Sequence, residues 1–342
     1  MSNKNTEMLS VTGLSIGYPG RGKEQGMIFS GIDATAGKGE LVALFGRNGV
    51  GKSTLLRNIV NLQKPIEGNI MVSGKEIGRF SPNELARTVS FVSTERISVN
   101  NLRVTDMVAF GRFPYTGWTG KLGKEDSAVV EKAVQMVGLA HLSHKNINHI
   151  SDGELQRVMI ARTLAQDTPV IVLDEPTAFL DLPNKYEIVH LLGRMASENN
   201  KTVLFSTHDL GIAIQEADKV WLMLEEHLAE GAPEDLVLEK SFGSMFSDSR
   251  LTFNDSTGEF RIRKMTKKKI GITGSGRGLS WTKKALERIG FEIDDNASNL
   301  SVNVVRENSG KFKWELHSPG KVKEYDSVYR LCSDLKTGFS NI

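Results

Sequence analysis

The segment Gly46-Arg47-Asn48-Gly49-Val50-Gly51-Lys52-Ser53 restricts the possible folds of this chain more than any other stretch. It has the form G-x-x-x-x-G-K-[ST]. An apolar run at residues 41–45 precedes it, and a helix-like stretch carrying Leu55, Leu56 and Ile59 begins near Gly51. Strand, glycine turn and helix together make a phosphate cradle. Glycines let successive backbone N–H groups turn inward around an anion, and the helix N-terminus adds positive potential at the same place. Lys52 reaches the outer phosphates of a nucleotide, and the Ser53 hydroxyl can bind Mg²⁺.

A second constellation follows in Val170-Ile171-Val172-Leu173-Asp174-Glu175-Pro176-Thr177. Four apolar residues in a row suit a parallel strand covered on both faces. The two carboxylates then lie at its C-terminal end, the edge where open α/β sheets bind ligands. Asp174 is placed to hold a Mg²⁺ shell. Glu175, one residue on, points elsewhere and can polarise an attacking water.

Strand-like runs at 9–16, 41–45, 70–72, 89–92, 170–173, 202–206 and 220–224 alternate with helical patterns. This predicts an α/β core with a parallel sheet. A helical pattern over about 105–139, with Val130, Ala133, Val134 and Val137 on one face, and a second helix from near Ser151 read as an inserted subdomain. A chain of 342 residues is long enough for two domains. The expected division is 1–240 for the α/β domain with its helical subdomain at about 95–160, 241–268 for a hairpin and linker, and 269–342 for a small C-terminal α+β domain. Within 269–342 the pattern reads strand 269–273, helix 280–289, strands 300–305 and 312–316, helix 327–335. No motif there indicates a chemistry.

Basic and acidic residues nearly cancel, 43 against 41, so nothing in the charge favours nucleic-acid binding. Cys332 is the single cysteine and cannot form an internal disulfide, which fits a reducing compartment. Residues 1–7 lack a signal-peptide pattern. No apolar run reaches the ~18 residues that a membrane span needs. A transport role would therefore take its pore from other chains.

Ile150-Ser151-Asp152-Gly153-Glu154 lies about two dozen residues before Asp174 and resembles the Leu-Ser-Gly-Gly-Gln signature of the ABC ATPases. Ser151-x-x-Glu154 is also a capping box, and a capped helix start suits an anion site. Ala178-Phe179-Leu180-Asp181 resembles the D-loop of that family, and His208, in Ser206-Thr207-His208-Asp209, its switch histidine. The resemblance covers residues 8–238. It implies a RecA-like P-loop core with a helical insertion and two copies closing head-to-tail on two ATP molecules with Mg²⁺. Gly46, Asn48, Gly49, Gly51, Lys52, Ser53 and Thr54 would hold the nucleotide, Tyr18 would stack on adenine, and Glu175, His208 and Lys52 would be catalytic. Ser151, Gly153 and Asp181 would come from the partner copy to complete each site. Further implied partners are two integral-membrane permease subunits and, indirectly, a substrate-binding protein. The implied location is the cytoplasmic face of the inner or plasma membrane, held peripherally.

Two positions depart from the family pattern. Phe91-Val92-Ser93-Thr94-Glu95 stands where a glutamine is usual. Either Thr94 through its hydroxyl or Glu95 through its carboxylate could take the Mg²⁺ position. The signature carries Asp152 and Glu154, which would repel a γ-phosphate unless Mg²⁺ or a cation such as Arg157 compensates. Phe110-Gly111-Arg112-Phe113-Pro114-Tyr115, followed by Trp118, resembles the helical subdomain of importers for iron-siderophores, haem and cobalamin. The alternatives are another ABC transporter class, a soluble ABC ATPase, or a phosphate-loop kinase. Neither the spacing of His141, His144 and His149 nor the Gly274-Ser275-Gly276-Arg277-Gly278 turn matches a metal or dinucleotide pattern.

Overall fold

The computed structural model describes residues 7–18, 26–93, 101–117, 120–245, 251–255, 258–262, 268–294, 300–307 and 310–337. The chain forms two compact units, Met1–Arg261 and Ile262–Ile342. The larger unit opens with β1 (Glu7–Tyr18), β2 (Gly26–Gly37), β3 (Leu41–Gly46), α1 (Lys52–Ile59), β4 (Glu67–Val72) and β5 (Lys75–Glu76). It continues with α2 (Pro82–Thr88), β6 (Val89–Val92), α3 (Val104–Ala109), α4 (Lys124–Met136), α5 (Asp152–Gln166) and β7 (Val170–Leu173). Then come α6 (Leu182–Asn199), β8 (Thr202–Thr207), α7 (Leu210–Glu216), β9 (Lys219–Met223) and β10 (Leu228–Gly231). Two short helices, α8 (Pro233–Leu238) and α9 (Ser241–Ser244), lead to a hairpin of β11 (Leu251–Asn254) and β12 (Glu259–Ile262).

The central sheet has the order β10-β9-β3-β8-β7-β6. Strands β9, β3, β8, β7 and β6 are parallel, and β10 closes one edge antiparallel. Strand alternation feeds a core on each face. Leu41, Ala43, Phe45, Ile171, Leu173, Val203 and Phe205 join the core that holds α6 and the inserted helices. Val42, Leu44, Val170, Val172 and Leu204 join the core that holds Leu55, Leu56 and Ile59 of α1. Burying each Val, Leu, Ile or Phe among them contributes roughly 1.5–3 kcal/mol relative to exposure. This is why these strands are apolar throughout rather than alternating.

The structure differs from the sequence-based expectation in three places. Strands β1 and β4 do not join the parallel sheet. They form a separate antiparallel sheet, β2-β1-β4-β5, in which β2 had no recognised signal. Its polar-interrupted sequence GMIFSGIDATAG carries bulged pairing with β1, which breaks a simple alternation. The helical pattern over 105–139 is not one helix. After α3 the chain tightens into a 3₁₀ turn, Phe110–Tyr115, with Pro114 inside it, and restarts only at α4. Proline lacks the donor that an α-helix needs, and Gly120 sits at φ +64° between the two segments.

The third difference is the segment read as hairpin and linker, part of which packs onto the larger unit. Phe45 meets Phe242 with ring centroids 6.3 Å apart, Phe242 meets Phe253 at 5.5 Å, and Phe253 meets Phe260 at 5.2 Å. These spacings suit edge-on and tilted aromatic contacts.

Phe110-Gly111-Arg112-Phe113-Pro114-Tyr115 binds the insertion to the rest of the unit. Arg112 pairs with Asp126 at 2.9 Å and donates to the Ala165 carbonyl at 2.9 Å. Its guanidinium lies 4.0 Å from the Tyr115 ring centre, and the Tyr115 hydroxyl donates to Gln166 O. Arg87 of α2 donates to Pro114 O at 2.7 Å. Gly111 must be glycine, because a Cβ there would lie 2.3 Å from Arg162 O and 2.9 Å from Gln166 N of α5. Gly111→Ala is expected to cost about 1–3 kcal/mol of stability. Thermal unfolding checks this against Gly243→Ala, where nothing lies within 4 Å of the added carbon. Equal midpoints for the two variants would refute the packing argument.

The smaller unit contains β13 (Lys268–Thr273), α10 (Gly276–Arg288), β14 (Phe291–Ile293), β15 (Ser301–Arg306), β16 (Phe312–Ser318), β17 (Lys321–Tyr325) and α11 (Val328–Thr337). Its sheet has the order β14-β13-β15-β16-β17. Ile270, Leu286, Val302, Trp314 and Leu331 are among the residues of its own core. A glycine in the first turn of α10 has a packing role. A Cβ on Gly278 would lie 2.6 Å from the Phe312 ring.

Candidate nucleotide site

The phosphate loop spans from the end of β3 to the start of α1. Gly51, at φ +113°, precedes the helix, and Gly49 sits at φ +84°. Both conformations suit glycine far better than other residues. A Cβ on Gly51 would also lie 2.9 Å from Ile28 Cγ2, and one on Gly46 would lie 3.0 Å from Met223 O. Arg47, Asn48 and Gly49 are exposed, while Lys52 and Thr54 are buried. The Lys52 ammonium turns back into the loop and donates to Gly46 O at 2.9 Å and Arg47 O at 3.2 Å. Burial pulls the Lys52 pKa below its ordinary value, against the opposing pull of Glu175 and Asp174. A cation held inside a glycine loop at a helix N-terminus, with carboxylates nearby, suits polyanions that bring a divalent metal.

Strands β7 and β8 bring the remaining groups alongside. Asp174 is 4% exposed and accepts a 2.7 Å hydrogen bond from Ser206 Oγ. The Glu175 N–H donates to the same Ser206 oxygen at 2.8 Å. Glu175 adopts φ +43°, uncommon for a residue with a side chain. Its carboxylate lies 3.5 Å from His208 Nδ1, just beyond β8. Lys52, Asp174, Glu175 and His208 thus share one sheet edge. Ser53, next to Lys52 in sequence, is exposed and offers a hydroxyl. A hydroxyl and a buried carboxylate are hard oxygen donors of the kind that fits Mg²⁺.

The other candidate residues stand apart. Ser151 caps α5, and Glu154 completes the capping box, with Ser151 N–H donating to Glu154 Oε2 at 2.7 Å and Ser151 Oγ at 2.9 Å. The Ser151 backbone N–H, and then its hydroxyl, hold the Glu154 carboxyl below its usual pKa. Glu154 is therefore turned back on its own helix start rather than presented as a second repelling charge. Arg157, expected as a compensating cation, instead pairs with Glu187 and donates to Val137 O at 3.5 Å. Gly153 lies close to Asn184, whose N–H and side-chain amide donate to Asp181, the N-cap of α6. Tyr18 ends β1 with 56% of its surface exposed. Among the described residues, no hydrogen bond or ion pair runs from Lys52, Asp174, Glu175 or His208 to Ser151, Gly153 or Tyr18. Thr94, Glu95 and Trp118 lie outside the described residues. No group of His141, His144 and His149 forms a metal cluster among the described residues.

Sequence reasoning missed Ser206. Its only signal was a polar residue inside an otherwise apolar buried strand, which burial of polar groups makes informative.

A model of the ABC transporter family matches residues 29–178. An ABC transporter ATP-binding protein of Methanocaldococcus jannaschii, itself uncharacterised, is 35% identical over 277 residues, covering 80% of this chain and 94% of its own length. The chain belongs to the ABC transporter ATP-binding proteins. It is the nucleotide-binding, ATP-hydrolysing component of a transporter. A second family model, the iron ABC transporter C-terminal domain, matches residues 267–336, the region whose sequence offered no motif. The achromobactin transport ATP-binding protein of Dickeya dadantii is 34% identical over 68% of this chain and 86% of its own. The ferric enterobactin transport ATP-binding protein of Escherichia coli is 33% identical over 60% and 78%.

Solved ABC structures share the fold. An inward-facing metal-chelate type ABC transporter superposes with TM-score 0.62 at 27% identity, over 75% of this chain and 96% of that one. A dimeric ATP-binding cassette bound to ADP and Pi gives TM-score 0.58 at 26% identity, over 66% and 99%. No helix among the described residues is long and apolar enough to cross a membrane.

Proposed function

We propose that this ABC ATPase drives an importer for iron chelates of the siderophore type. The observation that carries this reading is the match of residues 267–336 to the iron ABC transporter C-terminal domain. Relatives concerned with achromobactin and ferric enterobactin transport support it. Two copies close on two ATP molecules at the cytoplasmic face of the membrane and act on two permease subunits served by a substrate-binding protein. Deleting the gene and measuring uptake of radiolabelled iron chelates, with wild-type and Glu175→Gln chains supplied back, is the test. Uptake that survives the deletion for every chelate offered would end the reading.

In this mechanism Gly46, Asn48, Gly49, Gly51 and Thr54 shape the loop around the phosphates, and Lys52 neutralises charge on the outer ones. Glu175 takes a proton from the attacking water as its oxygen bonds to the γ-phosphorus. The bond from that phosphorus to the β,γ-bridging oxygen breaks, and ADP leaves. His208, 3.5 Å from Glu175, orients that carboxylate and contacts the γ-phosphate. Tyr18 stacks on adenine, and Ser151, Gly153 and Asp181 of the partner copy complete the site. Mg²⁺, when bound, would neutralise charge between the β- and γ-phosphates. Ser53, Asp174 and Thr94 would hold it, directly or through water.

Exposed Asp152 is a signature carboxylate that opposes ATP in the closed pair. Asp152→Gly is expected to tighten ATP-driven dimerisation by roughly 2- to 5-fold, within the ~1 kcal/mol of a screened surface charge. Dimer mass followed in ATP checks this, and an unchanged dimerisation constant would count against it.

A further inference from the structure

We propose that Ser206 is a positioning residue for ATP hydrolysis, with one buried hydroxyl that fixes both the metal-side carboxylate of Asp174 and the backbone that aims Glu175. The inference rests on the roles proposed above for Asp174 and Glu175.

Ser206 lies in β8, a strand buried along its whole length, and is itself 0% exposed. Its backbone stands opposite Leu44 of β3, and Leu204, two residues earlier, packs into the core shared with α1. An apolar side chain would satisfy such a position at lower cost, since a buried hydroxyl must find partners. Ser206 has both. Its O–H donates to Asp174 Oδ1 at 2.7 Å, and its oxygen accepts the Glu175 N–H at 2.8 Å.

The two bonds have different consequences. The first commits Oδ1 of Asp174 and fixes the plane of the carboxylate, leaving Oδ2 for other partners. A hydrogen bond from a neighbour that orients a metal-binding carboxylate commonly changes metal affinity by about 10- to 100-fold when it is removed. The second holds the peptide at Glu175, where φ is +43°. A non-glycine residue leaves that region readily unless its surroundings hold it there. With the backbone in that conformation, the Glu175 carboxylate lies 3.5 Å from His208 Nδ1. One hydroxyl therefore joins the metal side and the water side of the reaction, and neither bond is replaced by water in so dry a strand.

The test compares Ser206→Ala, Ser206→Val and Ser206→Thr in the full-length chain. Threonine and valine share a shape and differ by the hydroxyl, so the pair separates hydrogen bonding from packing. Mn²⁺ binding in the presence of a non-hydrolysable ATP analogue, followed by electron paramagnetic resonance, reads the metal side without turnover. Steady-state ATPase assays give kcat and KM. The expected result is Mn²⁺ affinity and kcat each about 10-fold or more lower in Ser206→Ala and Ser206→Val, ATP KM within about 2-fold, and recovery of both in Ser206→Thr. Asp174→Asn serves as the reference. If Asp174→Asn loses Mn²⁺ while Ser206→Ala and Ser206→Val keep it within about 2-fold, the proposal for Ser206 falls and the site reading stands. If Asp174→Asn keeps Mn²⁺, the site reading falls and takes the proposal with it. Loss in Ser206→Thr equal to that in Ser206→Val assigns the effect to packing and also overturns the proposal. Should alanine fail to fold, the threonine and valine pair decides alone.

Discussion

Glu175→Gln is expected to lower ATP turnover by about 10²- to 10⁴-fold, the usual range for removing a general base, while ATP still binds. The amide keeps the shape of the side chain beside His208 but cannot take the proton that leaves the attacking water. The loop is untouched, because Lys52 reaches Gly46 O and Arg47 O without help from Glu175. ATP should therefore close the dimer and remain in it. Phosphate release measured beside dimer mass in ATP checks both halves of this expectation. Hydrolysis at near wild-type rate with no ATP-dependent dimer would mean that Glu175 does not act on the water.

Lys52→Met is expected to fail at an earlier step. The substitution keeps an unbranched apolar stem in the buried position and removes the charge. Two losses follow. The outer phosphates lose a preorganised cation, a type of contact worth about 10²- to 10³-fold in rate. Asp174 and Glu175, which act on the Lys52 charge across the site, are left to repel the incoming polyanion. The expected outcome is kcat/KM lower by about 10²-fold or more, with ATP affinity itself reduced and no trapped dimer. Equilibrium binding of a fluorescent ATP analogue distinguishes this from the glutamine variant, which should bind normally. Unchanged binding and unchanged turnover would remove the phosphate role from the loop.

The two variants together locate the site's separable parts. A chain that binds but does not turn over places the defect at the water. A chain that does not bind places it at the loop. Uptake experiments read only their combined effect.

Much of this site could be read from residue order. The glycine pattern at Gly46–Ser53 has to sit between a strand and a helix to work, and β3 and α1 provide that context. Val170–Leu173 is apolar at every position because β7 is covered on both faces. The capping box at Ser151 and Glu154 was legible as a local hydrogen-bond pattern and forms as such. Local rules sufficed wherever the partner lay within a few residues.

Other features depended on residues far apart in the chain. The antiparallel sheet β2-β1-β4-β5 escaped because bulges spoil the period-two pattern of β2. The helical pattern read over 105–139 is interrupted because Pro114 and the glycines after it override what apolar spacing alone favours. Asp152 and Glu154 looked equivalent as carboxylates, and the structure takes Glu154 into the cap of its own helix. Arg157 looked like their counter-ion, yet α6 offers it Glu187 instead.

The sequence alone determined the phosphate loop, the acidic strand end and the alternating α/β order, because each rests on contacts between near neighbours in the chain. Only the tertiary structure could place Glu175 against His208 and Ser206 between Asp174 and Glu175. Those groups lie 31 to 33 positions apart in sequence. They meet because β7 and β8 pair in parallel with Leu173 opposite Phe205, a register fixed by burial on both faces of the sheet.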